Sequence, residues 1–279
     1  MAKTATEGGT ADLEDLRLCI DRVVPDEYNP ARAAAARSVA ESMRSSTGRP
    51  ARKGKGKETE EIDASVILPP SSIALVALKM WETGTSLKCR FLDGDATQKK
   101  KVEAKAHLWE EHANIKLKFV ASGDAEIRIS FSADRGSWSA VGNDALVERF
   151  FPKFQPTMNF GWLKANTDDK EYERVVVHEF GHALGCIHEH QNPKGKLQWN
   201  KAEVYRIFSG SPNFWTKQQI DFNILQRYAK DQINATTFDP DSIMLYSFPS
   251  TLFLDHKGTK SNTTLSSQDK AFIAQMYPK

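Results

Sequence analysis

The chain has 279 residues, 40% of them hydrophobic, which is enough material for one or two domains with a real core. Lys and Arg number 38 against 36 Asp and Glu, so a formal net charge of +2 gives no reason to expect nucleic acid as a partner. No apolar run approaches the roughly 20 residues needed to cross a bilayer, and no apolar segment follows Lys3, so neither a membrane span nor a secretory signal is expected.

The first quarter reads as an appendage. Residues from about Asp12 to Met43 carry helical patterns in two pieces, interrupted around Pro25 to Pro30, with few large apolar groups. Ser45 to Lys57 is rich in Gly, Ser, Lys and Arg, and acidic Glu58, Glu60, Glu61 and Asp63 follow, the composition of a linker. A division into an N-terminal appendage, 1–68, and a second domain, 69–279, is therefore expected, the appendage being a pro-segment or an interaction segment. Three cysteines, Cys19, Cys89 and Cys186, cannot form an even disulfide framework and favour a reducing, cytoplasmic setting over secretion.

Beyond the linker, Leu87, Cys89 and Phe91 alternate with polar residues, as do Ile115, Leu117 and Phe119, and then Ile127, Ile129 and Phe131. This period of two predicts three half-buried strands. Between the first two, Thr97 can cap a helix running to about His112, with Val102, Ala106, Trp109 and Ala113 on its buried side. Pro156 to Trp162 is a short apolar segment. Glu171 to Leu184 then reads as a buried helix, preceded by Asp168, which with Glu171 resembles a capping box. Helical patterns near Asn200 to Phe208, Thr216 to Tyr228 and Ser266 to Met276 complete the chain. The fold class is α+β.

The chemistry is concentrated in His178-Glu-Phe-Gly-His182-Ala-Leu-Gly185-Cys-Ile-His188. Residues four apart share a helix face, so His178 and His182 can aim at one ion. Gly185 can take the left-handed conformation that ends a helix and turn the chain so that His188 supplies a third nitrogen. Three protein ligands leave a zinc position open, which marks a catalytic site, and zinc lowers the pKa of its water to about 7. Glu179 stands where a general base must take that water's proton and pass it to the leaving amine. The expected reaction is peptide hydrolysis with one zinc per chain. His107, His112 and His256 lack such surroundings and read as ordinary surface or core histidines.

This motif resembles the metzincin clan, and His188-Glu-His-Gln-Asn-Pro193 is similar to the astacin family. Gly136 to Gly142 resembles the astacin segment ahead of the edge strand, Asp241-Ser-Ile-Met244-Leu-Tyr246 the Met-turn and its tyrosine, and Leu265 to Tyr277 the closing helix. The resemblance implies a twisted mixed sheet with helices above a zinc cleft, a largely irregular lower subdomain, and a peptide lying along an edge strand. It also implies that Met244 packs beneath the zinc, that Tyr246 acts catalytically on the oxyanion, and that Glu189 ties the lower subdomain to the zinc loop. A zinc metalloendopeptidase acting on protein or peptide substrates as a monomer is the expected function. A peptide-binding module or a latent zymogen is the alternative. Ser137 stands where the family usually has cysteine, so stability falls to packing rather than disulfides. For latency, Cys19 can in principle offer a thiolate to zinc, but its setting among Leu16, Leu18 and Ile20 reads as a buried helical cysteine; Cys186 likewise reads as core.

Overall fold

The computed structural model describes residues 18–24, 79–133, 136–211, 213–227 and 237–279. The appendage's other residues, Tyr228 and the proposed linker lie outside them. Five strands follow Lys79 in the sequence: β2 (Ser86–Phe91), β3 (Lys116–Phe119), β4 (Ile127–Ser130), β5 (Ser137–Ala140) and β6 (Met158–Phe160). The three period-two segments become β2, β3 and β4, joined in parallel with Leu87 opposite Leu117 and Cys89 opposite Ile127. β6 continues the sheet in parallel beside β4, and β5 closes it in the antiparallel sense beside β6.

A sixth strand comes from the appendage: β1 (Ile20–Arg22) runs parallel to β5, with Ile20 opposite Trp138 and Arg22 opposite Ala140. The helical expectation is overturned here. Leu16, Leu18 and Ile20 alternate with Arg17, Cys19 and Asp21, a period that fits a strand added to an open sheet edge better than a helix.

α1 (Ala96–Ala106) starts two residues earlier than expected, because Asp95 rather than Thr97 is its cap: the Asp95 carboxylate accepts from the amides of Thr97 and Gln98. It tightens into a 3-10 turn at His107–Glu111. α2 (Asp169–Ala183) begins at Asp168, which accepts from the Lys170 amide; Glu171 turns away to bind Trp162 and Arg174, so no capping box forms. α3 (Lys201–Phe208), the short α4 (Lys217–Ile220) with a following π turn, and α5 (Ser267–Met276) complete the molecule.

One face of α1 and one of α2 pack on the sheet: Val102, Ala106, Val176 and Phe180 meet Leu87, Ile129, Met158 and Phe160 in the main core. A second core around Trp199, Phe208, Tyr246 and Phe248 fills the lower part. The last turns of α2 lie between the two, and from Val175 to Ala183 every residue is buried. That desolvation is what makes its polar side chains chemically notable.

Candidate metal and catalytic centre

His178, Glu179 and His182 sit on α2, and the chain reverses at Gly185, whose φ is 94°. The reversal is tied by the Gly185 amide donating to His182 O (2.8 Å) and the Cys186 amide to Gly181 O (2.9 Å). His188 then returns to the helix. The Nε2 atoms of His178 and His188 each lie 3.1 Å from Nε2 of His182.

The tautomers follow from the outer nitrogens. His178 Nδ1 donates to Ile243 O (2.8 Å) and His182 Nδ1 to Cys186 O (2.9 Å); a carbonyl only accepts, so both protons are on Nδ1. Both Nε2 lone pairs are then aimed at one buried point, a repulsive arrangement unless a cation sits there. Tetrahedral ligands about 2.0–2.1 Å from zinc stand about 3.3 Å apart, so the observed spacing fits that ion. Burial first, then neighbouring His182 and His188, holds His178 well below the ordinary imidazole range, in the neutral form that ligates metal.

Met244 packs on α2 at Gly181. A Cβ built on Gly181 would meet its Sδ at 2.5 Å, so glycine at 181 is what lets Met244 close against α2. The Met-turn is itself held by Asp269 of α5, which accepts from Ser242 Oγ (2.7 Å) and the Ile243 amide (2.8 Å). Thus α5 orients His178 through Ile243, whose amide is held and whose carbonyl accepts the ring. Glu189 accepts from the Asp239 amide (2.8 Å) and Asn192 Nδ2 (2.9 Å), while its own amide donates to Met244 O. Burial pushes its carboxyl up to about 7. Tyr246 is buried against His188, and its hydroxyl contacts His188 Nε2.

Cys19 completes the group. Its Sγ and one nitrogen from each of the three histidines all lie within 4.8 Å of one another, and its thiol donates to Glu179 Oε2 at 3.1 Å. The Tyr246 hydroxyl donates to Cys19 O at 2.6 Å. Cys19 is therefore buried, as expected, but in extended chain over the histidines and not in a helix. Cys186 belongs to the main core and lends only its carbonyl. His107 instead pairs with Glu110.

Residues 80–206 match the family described as Matrixin. A solved structure of myroilysin is 40% identical, covering 73% of this chain and 98% of its own, with a TM-score of 0.70. The chain belongs to the metzincin zinc metalloproteases. A second myroilysin structure matches this metzincin at 40% identity over 72% of the chain and 86% of its own, TM-score 0.58. A hatching enzyme zinc-protease from Oryzias latipes (Medaka fish) is 15% identical over 72% and 95%, TM-score 0.46. No curated protein matches. As a metzincin it is a zinc-dependent hydrolase of protein or peptide substrates.

Sequence reasoning passed over Asp269, the Ile243 and Cys186 carbonyls, and His190, whose Nε2 is hydrogen-bonded to Asn223 O behind His188 and Tyr246. Backbone carbonyls leave no trace in a motif. Cys19 did leave one, in the alternation of its neighbours.

Proposed function

We propose that this metzincin is an astacin-like zinc metalloendopeptidase whose intact chain is latent, with residues 1–68 as pro-segment and 69–279 as catalytic domain. The observation that carries the reading is Cys19 Sγ standing among His178, His182, His188 and Glu179. In that place a Cys19 thiolate would be a further ligand to zinc beside the three histidines and would exclude water and substrate.

His178, His182 and His188 hold one zinc per chain. When bound, zinc supplies Lewis acidity: it polarises a carbonyl and acidifies water. The remaining work belongs to the chain. Glu179, fully buried, takes a proton from the attacking water at Oε2 once Cys19 has left, and returns it to the leaving amine. The Tyr246 hydroxyl, freed from Cys19 O, donates to the developing oxyanion. Met244 and Glu189 hold the floor and the loop. The substrate peptide adds to β5, the strand that β1 covers, which is how an extended chain reaches a site at a sheet edge. The protein acts as a monomer on protein or peptide substrates, with no nucleic-acid or membrane partner; no helix among the described residues is long and apolar enough to cross a membrane. A peptide-binding module without turnover has no use for Glu179.

Zinc content and casein cleavage of Cys19→Ala and of Cys19→Ala/Glu179→Ala test the reading. One zinc in each, with internal fragments released only by the first, is expected. Zinc in both with cleavage by neither would replace the peptidase with a binding module.

A further inference from the structure

Past the metal centre, the N-terminal segment makes a second built contact at Val24. Val24 is buried in a cluster with Trp138, Ala140, Ala145 and Phe151, and the Trp138 and Phe151 rings stack at 6.4 Å. The Val24 amide donates to Asp144 Oδ2 at 3.0 Å, and the same oxygen takes Lys79 Nζ at 2.6 Å. Lys79 and Asp144 are themselves buried, so this acceptor is a fixed charge pair inside the catalytic domain and not a surface accident. Arg22 lies over the Trp138 ring, 3.7 Å from its centroid. Trp138 Nε1 is buried with no hydrogen-bond partner among the described residues, so the segment does not exhaust what the pocket offers.

We infer that this pocket is a specificity subsite of the cleft, taking an aliphatic side chain about five residues before the scissile bond, with that residue's amide bound to Asp144. The inference rests on the peptidase reading above. Val24 stands five residues from Cys19, an extended reach of roughly 16 Å from the metal centre. The pocket lies beyond Ala140, the end of β5 towards which β1 also runs. A peptide adding to β5 in the more stable antiparallel sense enters from that end, so its upstream residues cover Ala140 and the pocket. Val24 is then a stand-in for substrate, and Trp138, Ala145 and Phe151 set the preference while Asp144 fixes the register. A charged side chain there loses its hydration to an apolar wall.

The test uses full-length Cys19→Ala protein and a set of quenched fluorescent peptides differing only at the fourth, fifth and sixth residues before the cut. Leu or Val at the fifth should raise kcat/KM over Asp by about tenfold or more. In Cys19→Ala/Ala145→Leu, whose pocket is narrowed, that ratio should fall to within about twofold; in Cys19→Ala/Phe151→Ala the preference should move to Phe. A ratio measured within one protein does not depend on how much of it folds. Equal cleavage of the whole set, selection confined to residues after the cut, or a ratio unmoved in both variants overturns the subsite while leaving the peptidase intact. No cleavage of any peptide by zinc-loaded protein overturns the peptidase reading and the subsite with it.

Discussion

Substituting Cys19 by Ala in the intact chain should abolish latency, because the rest of the segment is close to balance without the sulfur. Ordering the seven residues Leu18–Val24 costs about 1–2 kcal/mol each in backbone entropy, roughly 7–14 kcal/mol together. Against that, burying Leu18 and Val24 returns about 1.5–3 kcal/mol each. The ladder to β5 and the bonds at Val24 and Tyr246, at about 1 kcal/mol net apiece, bring the favourable side to roughly 6–10 kcal/mol. The two sides cancel to within a few kcal/mol, so the thiolate bond to the metal decides whether the cleft is closed. The assay is peptide cleavage by intact parent, Cys19→Ala and Cys19→Ser, with zinc measured in each. The parent should be silent and Cys19→Ala active, by at least about a hundredfold given roughly 3 kcal/mol lost with the ligand. Cys19→Ser, a poorer ligand for zinc, should fall between. A Cys19→Ala protein that binds zinc and stays as silent as the parent would show that strand addition alone closes the cleft.

Asp269→Ala removes the acceptor that holds Ser242 and the Ile243 amide; zinc affinity should drop about 10–100-fold, read by competition with a chelator, although residue 269 touches no ligand. The same carboxyl titrates in a known direction. Burial is the first cause of its raised pKa, so the folded state keeps the proton to higher pH than the unfolded chain, and this group's contribution to stability falls as pH rises above 3.8 towards the folded value. That part of the pH dependence of Tm should vanish in Asp269→Asn. Gly181→Ala gains about 1 kcal/mol of helix propensity. It also drives a methyl to 2.5 Å from Met244 Sδ, and overpacking of about 1–3 kcal/mol should win, lowering Tm; Met244→Ala in the same protein should recover part of the loss, and failure to do so would remove Met244 as the cause.

How far the sequence could be read depended on where each residue's partners lie. Alternation at Leu87–Phe91 and Ile115–Phe119 announces β2 and β3 because their burial follows the same period, whereas β4, found by the same alternation, is buried on both faces, Arg128 and Ser130 included. The zinc helix was legible because i, i+4 spacing and the Gly185 reversal are local. Asp95 replaced Thr97 as a cap through side-chain geometry that composition does not contain. β1 escapes the helical reading because its alternation spans only Leu16 to Asp21, too short to outweigh the helical composition around it, and what makes it a strand is β5, more than a hundred residues away. Asp269 was invisible for the same reason: its value lies in two donors on another loop.

The centre is assembled where two separately packed cores meet, and that placement explains its chemistry. The upper core fixes α2 and with it His178, Glu179 and His182; the lower core, through Tyr246 and its neighbours, fixes the opposite wall. Met244 belongs to the first and Tyr246 to the second, two residues apart on one turn that Asp269 clamps. Leu18 and Cys19 join the lower core, while Val24 joins the cluster behind β5, so the N-terminal segment bridges both walls of the cleft. A segment that only capped a metal would need one anchor. Anchors on both sides, with a thiol between them bound to Glu179, are what a chain needs to occupy a substrate's path.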